Sequence, residues 1–377
     1  MLYATPELAD ADRTVLGEIE DMRRDLKYRL AEPHRWDGAL RKHLEARAIQ
    51  GSNSIEGYRA TVEDIESIMA GEEPLDATPN VTREITGYRQ ALTYIGQLAR
   101  APVFEFDTGL LHSLNFMMIG HHLNKSPGLV RPGGIYVRNS STGEVVYEGP
   151  DALAVPGLLR ELVEWLNTGD LEEPSYVRAA MAHLNLVAIH PWRDGNGRMS
   201  RALQTLVLGR DQILTPEFSS IEEWLGIYEN TVDYYRALGE VQRGNWSPHR
   251  DALTWVRFCL RAHHMQAQRV RRRLAEAAEV WLLLEELAEA DGLHTRCVSA
   301  MYQVFVSNRL RRVVYQGEES LSQGQASRDL RELAAKGWLA SSGETKGRFY
   351  APGPRILEVK EGFATRALAP VDPYRKG

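Results

Sequence analysis

The chain lacks most of the features that would place it in a specialised class. Among its 377 residues there are two cysteines, Cys259 and Cys297, too few and too far apart for a disulfide framework or a cysteine metal site. Both fall in apolar helical patterns and are expected as buried thiols in a reducing compartment. No apolar run approaches the length of a membrane span. The opening Met1-Leu2-Tyr3-Ala4 has neither the basic nor the apolar region of a secretory signal, so the expectation is a cytoplasmic protein with no membrane partner. A net charge of −6 is too small to imply a nucleic-acid or membrane partner for the chain as a whole. With 43% hydrophobic and 25% charged residues the composition is that of an ordinary globular protein. The length leaves room for two or three domains.

What the chain does have is concentrated at 190–201, the run His190-Pro191-Trp192-Arg193-Asp194-Gly195-Asn196-Gly197-Arg198 continued to Arg201. Apolar helical stretches at 177–189 and 199–208 flank it, so it reads as a loop held between two buried helices. Gly195 and Gly197 permit positive φ and let a ligand approach the backbone. Amides at the start of the second helix would face an anion, with the helix dipole adding to the attraction. Arg198 and Arg201 are three residues apart and share a helix face, and guanidinium forks suit phosphate oxygens. Asp194 offers a hard oxygen of the kind Mg²⁺ prefers, and Asn196 offers an amide donor. His190 is a proton acceptor near neutral pH. Together these residues describe a polyphosphate site with a general base at its edge.

The run resembles the signature of Fic-domain proteins, His-Pro-Phe-x-(Asp/Glu)-Gly-Asn-Gly-Arg-x-x-Arg. Trp192 replaces the usual Phe and is a conservative, bulkier anchor beneath the loop. The resemblance implies a protein adenylyltransferase, which moves AMP from ATP, with Mg²⁺, to a Ser, Thr or Tyr hydroxyl of a protein. It implies His190 as the base, Asp194 as the metal ligand, and Gly195, Asn196, Gly197, Arg198 and Arg201 as the phosphate cradle. Ser52-Asn53-Ser54-Ile55-Glu56-Gly57 is similar to the family's inhibitory pattern, (Ser/Thr)-x-x-x-Glu-(Gly/Asn). Ser52 and Glu56 share a helix face at i, i+4. The resemblance implies that Ser52, Glu56 and Gly57 form an N-terminal inhibitory motif whose glutamate pairs with Arg198 or Arg201. Tyr234, Tyr235 and Gln242 resemble the family's adenine pocket.

Organisation follows from pattern. Residues 1–100 read as an N-terminal helical region, 101–264 as the catalytic core, 265–355 as a further domain and 356–377 as a tail. His112, in an apolar helical stretch, reads as a satisfied core histidine. Residues 127–150 differ in texture, with Gly133-Gly134, two short β-rich runs and the polar turn Asn139-Ser140-Ser141-Thr142-Gly143-Glu144 between them. This reads as a β-hairpin, whose open edge can bind an extended peptide. By resemblance it is the family's flap, placed at 131–147 with Ile135 and Val137 on the edge strand. Further on, Ser322 and Gln325 fit a capping box opening a helix, followed by two short strands around Ser342-Gly343-Glu344-Thr345-Lys346-Gly347. That order is the one found in winged helix-turn-helix domains and resembles the C-terminal domain of many long bacterial Fic proteins. The expected fold class is therefore mainly α, a Fic helical core with a β-hairpin flap and a C-terminal winged helix.

From 266 to 355 the chain has 14 Lys plus Arg against 11 Asp plus Glu, a net of +3, which is no basic footprint. Gln323, Gln325, Arg328 and Arg331 could nevertheless reach base edges, which leaves DNA binding by this domain open. Self-modification and a homodimer that masks the site are further partner expectations, the latter by resemblance. The alternatives are other transfer chemistry on the same loop (removal of AMP, or transfer of phosphate, phosphocholine or UMP) and a DNA-binding regulator that senses nucleotide.

Overall fold

Two helices with almost no exposed face sit at the centre of the molecule. The computed structural model describes residues 1–375 apart from 140–141, 212–213, 344–347 and 366–368. In chain order the helices are α1 (Asp10–Arg29), α2 (Asp37–Ile55), α3 (Val62–Met69), α4 (Pro79–Arg100), α5 (Thr108–Ile119), α6 (Val155–Thr168), α7 (Ser175–Ile189), α8 (Asn196–Arg210), α9 (Pro216–Ser219), α10 (Glu222–Leu225), α11 (Tyr228–Gln242), α12 (Leu253–Ala290), α13 (Cys297–Ser307), α14 (Arg312–Glu318), α15 (Gln323–Ala335) and α16 (Pro354–Ala364). Two antiparallel hairpins complete the fold, β1 (Tyr136–Arg138) with β2 (Val145–Glu148), and β3 (Leu339–Ser342) with β4 (Phe349–Pro352). α7 is buried on nearly every side and packs along α8. A helix apolar all round must be surrounded by other helices, and here it is. The loop between α7 and α8 is therefore fixed at both ends.

The apolar residues form two clusters. The larger gathers around α7 and α8 and takes in α4, α5, α6, α11 and the first half of α12. The second gathers around the rest of α12, α13 and α15. α12 runs unbroken from one to the other, through the Arg-rich stretch 269–273. α2 also belongs to both. Leu40 and Leu44 join the second cluster, while Ala46 and Ile49 join the first. Ion pairs tie its start to α14, Lys42 to Glu318 at 2.7 Å and nearby Arg35 to Glu319 at 3.2 Å. At its far end α2 meets α10 backbone to backbone. A Cβ on Gly51 would collide with the Glu222 carbonyl, so only glycine allows this approach.

Helix starts follow their signals. Thr61, Thr78 and Asp107 cap α3, α4 and α5, accepting from Asp64, Val81 and Leu110 amides. Ser322 caps α15 in the same way. The Gln325 half of that capping box does not form, because its amide is drawn to Asp329 at 2.7 Å and to Arg328 at 2.6 Å. Asp329 is buried and also pairs with Arg296 at 2.7 Å and Tyr315 at 3.0 Å, which anchors α15 to α13 and α14. Of the turn between the last two strands, 344–347 lie outside the described residues, as do Ser140 and Ser141 of the first hairpin's turn. The stretch read as a tail opens with α16, which starts on Pro354, a favoured first helical residue, and buries Ile356. Tyr374 then returns to α1, donating to Asp12 at 3.0 Å. Among the described residues no helix is long and apolar enough to cross a membrane.

Candidate active site

His190 caps the C-terminus of α7 in the left-handed region, with φ 52° and ψ 59°. This turn sends its ring out of the helix line and toward the loop. Nδ1 lies 3.0 Å from the Val187 carbonyl, so Nδ1 carries the proton and Nε2 is left as the acceptor. Burial lowers the His190 pKa, countered in part by the Val187 bond and by Glu56. A neutral ring at neutral pH follows, as a base requires.

The loop that follows is shaped mostly by its own backbone. Trp192 has no solvent exposure and its indole N–H donates to His112 Nδ1 at 3.1 Å. His112 is thus the satisfied core histidine that the sequence suggests. Gly195 has φ 78°, and α8 begins at the next residue. Asp194 accepts from the Gly195 amide at 2.6 Å, and the Asn115 amide holds the Asp194 carbonyl at 3.1 Å. The free α8 amides face forward, as at any helix start. Asn196 turns the other way. Its side chain accepts from the Trp192 amide at 3.0 Å and donates to the Trp192 carbonyl at 2.8 Å, so it closes the loop from beneath.

The two arginines of α8 diverge. Arg201 is 1% exposed and borders the cavity. It reaches Ser52 Oγ at 2.8 Å, the Ser52 carbonyl at 3.1 Å and Glu56 Oε1 at 2.7 Å. Glu56 lies just past the end of α2, followed by Gly57 with φ 87°, and its Oε1 lies over Gly197. Burial pushes the Glu56 carboxyl up, but Arg201 and Arg198 outweigh it and hold it below the usual range. Arg198 instead turns into the protein, 2.6 Å from Glu84 of α4, with the Tyr58 ring 5.3 Å away. Arg198 does not line the cavity.

Around the loop is a cavity of about 1610 Å³, bordered by His190, Asp194, Gly195, Asn196, Gly197 and Arg201 and, just past the end of α2, by Glu56. A second cavity, about 620 Å³, lies against the opposite face of α2 and contains none of the loop residues. One wall of the larger cavity is the first hairpin. β2 is tied to the core by Glu148, which pairs with the 244–246 backbone, and by the Tyr147 hydroxyl, which donates to the Ala188 carbonyl at 2.6 Å. β1 pairs only with β2 among the described residues, and Ile135 and Val137 line the cavity beside it. Sequence reasoning gave Arg131 no role beyond opening the hairpin. It is buried, and its guanidinium donates to the His190 carbonyl at 2.8 Å, to the Gly133 carbonyl at 2.6 Å and to the Pro150 carbonyl at 2.5 Å. It fixes hairpin and base to each other. The opposite wall is α11. Tyr235 is 49% exposed and lines the cavity with buried Gln242. Tyr234 is 1% exposed, and its hydroxyl donates to His183 Nε2 at 3.1 Å, so it is chiefly a core residue that touches the cavity rim.

Asp194 suits a magnesium ion in the donor chemistry it presents. It is a carboxylate on the cavity's rim, 31% exposed, with one oxygen taken by the loop amide and the other 3.9 Å from Lys125.

The Fic/DOC family model matches residues 105–208, which run from before α5 to the end of α8. Protein adenylyltransferase Fic of Drosophila willistoni is 32% identical over 188 residues, which is 48% of this chain and 36% of that protein. The Drosophila melanogaster protein of the same name is 32% identical over 202 residues, 51% of this chain and 38% of that one. The chain thus spans well under half the length of these relatives. Among solved structures, a Fic family protein from Desulfovibrio desulfuricans G20 superposes with a TM-score of 0.58 at 22% identity, covering 93% of this chain and 99% of that one. Fic-1 of C. elegans gives 0.55 at 21% identity, over 71% and 73%. At such identities the structures speak to the fold alone.

Proposed function

The chain carries a Fic/DOC family domain at residues 105–208, and from that premise we propose that it is a protein adenylyltransferase held in check by Glu56. One observation carries the reading. An imidazole with a bare Nε2, an anion-binding helix start and the buried cation of Arg201 open into one cavity, alongside a strand edge free to hold a peptide.

In this reading ATP lies along the loop with its α-phosphate over the Gly195 to Gly197 backbone and its terminal phosphate at Arg201. Magnesium, held by Asp194 and the phosphates, would supply neutralising charge. His190 Nε2 takes the proton of a Ser, Thr or Tyr hydroxyl laid along β1. The hydroxyl oxygen attacks the α-phosphorus, the bond to the β-phosphate oxygen breaks, and pyrophosphate leaves. Positioning and charge account for most of the acceleration. Asn196 acts indirectly, by keeping the loop in its anion-binding shape. Tyr235 and Gln242 are placed to meet the base, with Tyr234 behind them. Glu56 occupies the guanidinium that the terminal phosphate needs and covers Gly197, so the nucleotide cannot seat fully while the carboxylate is there.

The test is labelling of a lysate and of the protein itself with each of the four α-labelled nucleotides, comparing the parent with Glu56→Gly, followed by mass analysis of the product. Added AMP, stronger in Glu56→Gly, is the expected outcome. Added phosphate or UMP, or equal labelling by parent and variant, overturns the adenylyl or the inhibitory part respectively.

A further inference from the structure

Glu84, in the second turn of α4, has no solvent exposure, and both of its oxygens are engaged. Oε2 accepts from Arg198 at 2.6 Å. Oε1 faces two imidazoles from the turn after α5, with His122 Nε2 at 2.5 Å and His121 Nε2 at 3.1 Å. Consecutive side chains on a regular helix or strand point apart. Here α5 ends at Ile119 with Gly120 as its cap, and the two rings come back together with centroids 4.2 Å apart. His121 Nε2 is buried and close to the carboxylate, yet it is not aligned with it as a hydrogen bond.

We propose that Glu84, His121 and His122 form a binding site for a divalent first-row transition ion, separate from the magnesium position at Asp194. Two imidazole nitrogens and one carboxylate oxygen are the donor set of borderline ions such as zinc, whereas magnesium wants oxygen alone. Three protein ligands leave a coordination position for water, and His121 and His122 are 16% and 28% exposed, which gives an ion its way in. Arg198 has the place of the outer partner that usually orients a ligating carboxylate. With each ligand about 2.1 Å from the ion, ligand atoms in a tetrahedral site lie about 3.4 Å apart. His121 is nearly there, and His122, the more exposed, moves outward by roughly 1 Å. Both rings take the tautomer with the proton on Nδ1. The ion draws charge from the carboxylate that holds Arg198, so its occupancy bears on the first of the two arginines of α8.

Zinc alone, titrated into the metal-stripped 377-residue chain against a chromogenic chelator, tests this without nucleotide or activity. One tight equivalent per chain is expected. His121→Ala and His122→Gln should each weaken it at least ~10-fold, and the double variant should lose it, while Asp194→Asn keeps it. Circular dichroism melting of each variant verifies that it is folded. The absence of a stoichiometric zinc in the parent overturns the proposal. So does zinc that persists in the folded double variant or disappears with Asp194→Asn.

Discussion

Arg198 and Arg201 stand one turn apart on the same helix, are both 1% exposed and are both paired with a glutamate, yet the two pairs are built differently. Glu84 comes from the interior of a 22-residue helix and is wholly enclosed. Glu56 comes from the C-cap of α2, keeps 27% side-chain exposure and looks into the cavity. A pair closed on every side is part of the structure, because removing one partner strands a buried charge. A pair with one side open leaves the guanidinium within a ligand's reach, which is what the proposed inhibition by Glu56 needs. The sequence spacing is the same for both arginines; what differs is the kind of element that brings the carboxylate.

Several substitutions would break or sharpen that contrast. The largest effect belongs to His190, the base of the proposed reaction, which borders the same cavity as Arg201 and Glu56. In a Glu56→Gly background, His190→Ala should lower AMP transfer by roughly 10²–10⁴-fold with little change in nucleotide affinity by calorimetry. Next comes the enclosed pair. Glu84→Ala should cost about 3–5 kcal/mol in chemical denaturation, because Arg198 remains buried and uncompensated. Glu56→Ala should cost less than about 1 kcal/mol, since its partner keeps Ser52 and the cavity. Equal losses would erase the distinction between the enclosed pair and the open one. Glu56→Gly should raise self-labelling by about 10-fold or more and tighten ATP binding, the signature of a removed competitor.

The smallest effect expected is that of pH. Glu56 is held below its ordinary value, so its pairing with Arg201 is fully present above about pH 4.5 and fades only as pH falls further. Glu84 behaves alike, with its contribution lost between about pH 4.5 and about 2. Neither pair changes between pH 6 and 8 on this account, so under the proposed inhibition release comes from a competing ligand or from movement of α2. His190 is lowered by burial, and the transfer rate of Glu56→Gly should stay flat from about pH 8 down to 6.5 and fall only below it. A parent enzyme switched on by mild acid would contradict this.

Much of the site was legible because it is local. The 190–201 run places base, carboxylate, glycines and arginines within one turn and one helix start, and the flanking apolar stretches fold as the pattern requires. Trp192 and His112 behave as their surroundings suggest. Ser52 and Glu56 share the helix face their spacing sets, and both meet Arg201. Arg131 was hidden, since nothing in the local pattern says that three carbonyls from separate segments will converge on one guanidinium. Asn196 reads as a phosphate donor and does border the cavity, but its side-chain amide is already engaged by the Trp192 backbone, which no local pattern foretells. α16 was read as tail although Pro354 marks its start, because it buries only Ile356 fully and carries a weak apolar stripe.

By itself the sequence determined the loop, the helix starts and the periodic faces, because residues a few positions apart are bound by backbone geometry whatever surrounds them. Only the tertiary structure decided which carboxylate each arginine meets, which end of α2 belongs to which apolar cluster, and that Glu84 faces two histidines. Those choices join residues tens to hundreds of positions apart, and they depend on how whole helices pack, down to a single glycine contact between α2 and α10.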